Sequence, residues 1–127
     1  MNLVFVFLGG GVGALLRYLG GAAFVRIAGP SQPYLATAIV NVSGGLLMGA
    51  LVAWLAVRGA ANAERWRLVL GVGVLGGFTT FSSFSLEAVA MIQRKAYAIA
   101  AGYVIGSVVL SILALMLGLV VMRRALA

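Results

Sequence analysis

The sequence predicts an all-α membrane protein of four transmembrane helices, the third of them broken. Hydrophobic residues make up 64% of the 127 positions and charged ones 9%, with a mean hydropathy of +1.17. Four apolar stretches approach or exceed the roughly 20 residues needed to cross a bilayer core. Residues 76–85, Gly-Gly-Phe-Thr-Thr-Phe-Ser-Ser-Phe-Ser, set a glycine pair and five hydroxyl side chains inside one of those stretches. Hydrocarbon holds no water to satisfy backbone groups released by a helix break, so such a run is costly unless it lines a cavity or a protein interface. A broken helix at a functional centre is the expectation.

Span one runs over about 3–26 and is closed by Gly29-Pro30 and Pro33. It lacks a basic leader and a polar cleavage region and continues into Arg17, so it reads as a retained span rather than a signal peptide. Span two, about 34–57, is closed by Arg58-Gly59. Span three, about 66–92, carries the polar interruption in its second half, and span four, about 97–122, ends at Arg123-Arg124. The connections are short, and residues 1–127 read as one transmembrane domain.

An even span count puts both termini on one side with Arg58, Arg65, Arg67, Arg123 and Arg124, against Arg26, Arg94 and Lys95 opposite. That bias is too weak to fix orientation, which leaves dual topology open. Four helices are too few to enclose a wide pore, so an oligomer is expected. The small-xxx-small pairs Gly9/Gly13, Gly45/Gly49, Gly73/Gly77 and Gly102/Gly106 allow close helix contact, within the chain or between subunits.

Several function classes drop out. The absence of cysteine removes disulfides, thiolate metal sites and cysteine nucleophiles, and there is no histidine. The net charge of +7 comes from nine basic less two acidic residues, the basic ones scattered and, Arg17 aside, at span ends, with no stripe and no aromatic interleaving, so the pattern suits lipid headgroups rather than nucleic acid.

The polar residues within the spans carry the remaining information. Asn41 lies mid-span with Thr37 one turn earlier and Gly44-Gly45 one turn later. Its carboxamide reads either as an interhelical hydrogen bond or as an N–H donor offered to an anion. Tyr103, Ser107 and Ser111 follow one another at i, i+4 and line up on one face, a file of donors able to replace water around a small ion. Each alone could equally bond its own helix carbonyl. Arg17, deep in span one, must snorkel, pair or face water. Glu87, the one acid near a span, could pair with a base, sit at a vestibule or mark the lipid boundary. Phe81 and Phe84 share a helix face, with Phe78 a turn back, and phenylalanine ring edges are electropositive.

The run Gly-Gly-Phe-Thr-Thr-Phe-Ser-Ser-Phe-Ser-Leu-Glu, with Asn41-Val-Ser-Gly-Gly and Gly-Gly-Val-Gly-Ala-Leu-Leu-Arg-Tyr at 10–18, resembles the Fluc (CrcB) family of fluoride channels over essentially the whole chain. Ser83 stands where the family pattern usually has threonine and keeps the hydroxyl. The resemblance implies an antiparallel, dual-topology homodimer in a bacterial inner membrane, with two fluoride pathways and a structural sodium ion (Na+) at the dimer centre. It implies sodium held by main-chain oxygens of Gly76 and Thr79 from each subunit. It implies pore phenylalanines at Phe81 and Phe84, a pore amide at Asn41 and a hydroxyl track of Ser82, Ser83, Tyr103, Ser107 and Ser111. Arg17 would stand beside a vestibule, and Glu87 would be the acid beyond the phenylalanines. The activity implied is passive, selective fluoride export, without catalysis.

Two other classes compete. A small dual-topology, proton-coupled multidrug exporter has similar length and span count, but such transporters generally carry a glutamate in the first span, and this chain has none. A non-transporting assembly protein would make the polar interruptions incidental.

Overall fold

The computed structural model describes residues 1–58 and 62–127; Gly59, at the expected close of span two, lies outside the described residues. Four helical segments are long and apolar enough to cross a membrane: Asn2–Ala28, Tyr34–Arg58, Ala63–Gln93 and Tyr97–Leu126. Each contains the corresponding expected span and runs a few residues past it. Span one stops where Gly29, at φ 84°, returns its amide to Val25 O at 2.9 Å, a left-handed turn that favours glycine, with Pro30 following. The link from span three to span four makes the same kind of stop without glycine. Lys95 takes φ 59° and donates to Ile92 O, while Ala96 donates to Met91 O, a Schellman pattern.

The third span is in two limbs. The first limb is α-helical over Ala63–Trp66, π-helical over Arg67–Leu75 and α-helical again over Gly76–Phe78. Thr79 and Thr80 are extended, at ψ 157° and 121°, and the second limb, Phe81–Gln93, starts anew. The break therefore falls inside the glycine- and hydroxyl-rich run. The π-helical register is a finding that no apolar period in the sequence announces.

Spans two and four run parallel as a tight pair. A Cβ built on Gly45 would lie 2.8 Å from Ser111 O, one on Gly49 would meet Leu115 O, and one on Gly118 would meet Leu46 O. Span one lies equally close on the first limb of span three: a Cβ on Gly9 would sit 2.6 Å from Val69 O and one on Gly73 2.9 Å from Gly9 Cα. Three of the four small-residue pairs thus serve packing within the chain, where backbone approach lets helices gain dispersion contact that lipid would otherwise supply. A Cβ on Gly102 or Gly106 would meet nothing within 4 Å. Phe84, Ala88, Met91, Ala100 and Tyr103 form the buried cluster that seats the second limb on span four.

The break is held open by a single side chain. Thr80 N donates to Asn41 Oδ1 at 2.8 Å, and Asn41 Nδ2 donates to Thr80 O at 2.9 Å, so the carboxamide pairs with both backbone groups of one residue as a neighbouring strand would. Thr80 also caps the second limb, accepting from Ser83 N on its hydroxyl at 3.2 Å. Thr79 finishes the first limb, with both N and Oγ1 directed to Leu75 O at 3.0 and 2.9 Å. In an unbroken helix Thr80 N would bond Gly76 O and Ser83 N would bond Thr79 O. Both amides are diverted, which releases those two carbonyls.

Two outcomes follow for stability. Gly49→Leu forces a side chain onto Leu115 O and destabilises the fold by about 1–3 kcal/mol, as in an overpacked core, read as a lower thermal midpoint in detergent, whereas Gly21→Leu, where a Cβ meets nothing within 4 Å, leaves the midpoint unchanged. Asn41→Ala strands the Thr80 N–H, takes a donor from the Thr80 C=O and costs about 2–4 kcal/mol of stability, from two lost hydrogen bonds and the unmet donor.

Candidate functional site

Beside the break lies a cavity of about 400 Å³ whose polar lining is Asn41, Thr79, Thr80, Ser107 and Ser111, with the rings of Phe81 and Phe84 on one wall and mainly aliphatic residues such as Met48 and Leu115 completing it. Spans two, three and four each contribute. Gly44 makes the space: a Cβ there would run into Thr79 Cγ2. Among the described residues no ionised side chain lines the cavity. Asn41 spends one N–H on Thr80 O, and an amide nitrogen has two. Among the described residues the Ser107 and Ser111 side chains bond to no other protein group, although Ser107 is buried. The cavity thus offers neutral donors and apolar walls, a setting in which a partly dehydrated anion gains hydrogen bonds without meeting a fixed charge.

Four rings form a ladder away from this cavity. Phe81 and Phe84 are 5.5 Å apart between centroids, Phe84 and Tyr103 5.3 Å, and Tyr103 and Tyr34 5.4 Å in an edge-on contact. Phe84 is buried, but Phe81 is 77% exposed and projects away from its own chain. At the far end of the ladder Glu87 accepts from Tyr103 OH at 2.5 Å and from Thr37 Oγ1 at 2.8 Å, one hydroxyl on each oxygen. Among the described residues it pairs with no base. A carboxylate in an apolar bundle needs such donors, and here span two and span four each supply one.

The expected residues therefore divide. Asn41, Phe81, Phe84, Ser107 and Ser111 meet at the cavity, with Thr79. Tyr103 and Glu87 belong to the neighbouring hydroxyl–carboxylate cluster. Ser82 and Ser83 lie outside the cavity lining, each with its Oγ near Thr80 Oγ1, at 3.3 and 3.2 Å. Arg17 stands apart from both, half-buried, its Nε buried and without a hydrogen-bond partner among the described residues. Gly76 is exposed at the break beside Thr79. Sequence reasoning passes over Thr80, which both caps the second limb and takes the Asn41 clamp; a threonine directly before a renewed helical run, a preferred N-cap residue, is the available signal. It noted Thr37 without foreseeing its bond to Glu87.

Residues 4–119 match the family model described as CrcB-like protein, Camphor Resistance (CrcB). The chain is 54% identical over 123 residues, 97% of its own length and 95% of the relative's, to the fluoride-specific ion channel FluC of Caulobacter sp. (strain K31). It is 55% identical over 126 residues to the protein of that name from Caulobacter vibrioides (strain NA1000 / CB15N), covering 99% of this chain and 98% of the relative. To that of Phenylobacterium zucineum (strain HLK1) it is 52% identical over 125 residues, covering 98% of each. With four membrane-spanning helices and matches along nearly all of its length, the chain is a multi-pass membrane protein that belongs to the CrcB family.

Proposed function

We propose that this protein is a passive, selective fluoride channel. The observation that carries the reading is the neutral, donor-lined cavity at the broken third span, and the relatives named for fluoride conduction support it. Fluoride is small and strongly hydrated. A narrow route conducts it only by replacing lost water with N–H and O–H donors and electropositive ring edges, which Asn41, Ser107, Ser111, Phe81 and Phe84 supply; larger chloride fits the same donors poorly. Weak acid HF that enters a bacterium from acidic surroundings dissociates inside, and fluoride leaves through the inner membrane down its electrochemical gradient. No bond is made or broken on the protein.

The working unit in this reading is an antiparallel homodimer of dual topology with two pathways. Three observations support it: the weak charge bias between the two ends, the exposure of Phe81 to a surface its own chain leaves open, and the contact-free Gly102/Gly106 pair. The carbonyls of Gly76 and Thr79, released from their helix partners, fit a sodium ion, a hard cation that prefers oxygen ligands. Two carbonyls are a fraction of a cation's shell, so the second copy would complete it. Sodium would supply positive charge there and tie two broken helices together. The donors Ser82 and Ser83 extend the hydroxyl track at the start of the second limb, and Arg17 and Glu87 flank the route as vestibule residues.

The proton-coupled exporter fares worse. Span one holds no acid, and Glu87 is held by two hydroxyls away from the cavity lining.

Purified protein in liposomes loaded with fluoride should release it rapidly and electrogenically without a proton gradient; retention equal to empty liposomes, or release only with coupled protons, contradicts the channel. Phe81→Ile and Phe84→Ile should each cut the flux at least about tenfold, equivalent to about 1.4 kcal/mol of barrier, while the protein still elutes as a folded dimer. Asn41→Asp should abolish the flux, by charge repulsion of the anion and by removing the donor to Thr80 O.

A further inference from the structure

We infer that the arginine-rich end of the bundle is a binding site for the headgroup of an anionic, hydroxylated phospholipid of the phosphatidylglycerol type. This stands apart from the channel reading. Asn2, Asn62, Glu64 and Arg65 line a hollow of about 530 Å³ with mixed polar and apolar walls, where the start of span one meets the start of span three. The Arg65 guanidinium carbon sits 5.6 Å from the centroid of the Phe5 ring, which braces the side chain while leaving its N–H fork exposed. Glu64, the acid of this hollow, is occupied: Arg67 donates Nε to Oε2 at 2.9 Å and Nη2 to Oε1 at 2.8 Å. Arg65 has no carboxylate partner among the described residues. Arg58, Arg123 and Arg124 are exposed at the same end, so five arginines less Glu64 leave a charge of +4 there.

The depth identifies a lipid rather than a free ion. Trp54 and Trp66 meet edge-on, 6.1 Å between centroids at 81°, within a turn of Arg58 and next to Arg65 and Arg67. Tryptophans so placed mark the headgroup level. Leu3 and Leu8, 85% and 59% exposed, continue the span-one surface toward the acyl chains. A guanidinium grips phosphate with two parallel N–H bonds. A choline headgroup would bring a cation among these arginines, whereas a glycerol headgroup brings hydroxyls that Asn2 and Asn62 can bond. In either orientation the site faces one leaflet.

Both tryptophans of the chain lie at this end, so their fluorescence reports occupancy. In vesicles mixing brominated and plain lipids, brominated phosphatidylglycerol should quench the tryptophans of the whole protein at lower mole fraction than brominated phosphatidylcholine. Arg65→Gln should cut that preference about fivefold, while Arg26→Gln at the opposite end leaves it intact and excess inorganic phosphate fails to displace the lipid. Equal quenching by the two lipids overturns the site. So does an unaltered preference in Arg65→Gln, an equal loss in Arg26→Gln, which would reduce the effect to general surface potential, or displacement by phosphate.

Discussion

Breaking a helix inside hydrocarbon strands peptide groups that no water can reach, and in this protein the Asn41 carboxamide answers for one of them. It accepts from the Thr80 N–H, replacing the helical bond to Gly76 O that the break gives up, and donates to the Thr80 C=O. Without that pairing, the cheapest course for residues 76–85 would be a continuous helix, with Gly76 and Thr79 carbonyls tied to their own amides and no cavity beside them. The clamp also fixes where the break meets span two, about two turns in from Tyr34, while the break itself falls near the midpoint of Ala63–Gln93.

The glycines serve the same end. Gly45, Gly49 and Gly118 bring spans two and four together at backbone distance, which aligns Asn41 with Ser107 and Ser111 across one cavity. Gly9, Gly13, Gly73 and Gly77 do the same for span one and the first limb, giving the partly π-helical half of the third span a close support. Gly44 leaves room for Thr79. What remains beside the break is a set of neutral donors and aromatic edges. Charge is kept one ladder of rings away, at Glu87, where two hydroxyls satisfy it.

Much of this was legible in the residues. The four spans follow from apolar length, and the break follows from a glycine pair and five hydroxyls where only apolar residues are cheap. Asn41 was legible as a residue needing partners, but one sequence cannot distinguish an interhelical bond from a donor to an anion. The structure displays the bond, and the second N–H keeps the other role open to the same residue. The Thr37–Glu87 contact joins residues 50 apart, a tertiary fact that local pattern does not encode. The π-helical stretch carries Gly73, on which span one seats, and no apolar period in the residues announces it. The small-residue pairs announced close contact without saying where, and three of four turned out to face their own chain.

The central claim is that the donors gathered at this break move dehydrated fluoride and nothing else of consequence. The reversal potential of the purified protein in a planar bilayer, with opposed gradients of fluoride, chloride and protons, tests it most directly. The account predicts a potential that follows the fluoride gradient alone. A potential set by chloride or by pH, or an absence of current, contradicts it.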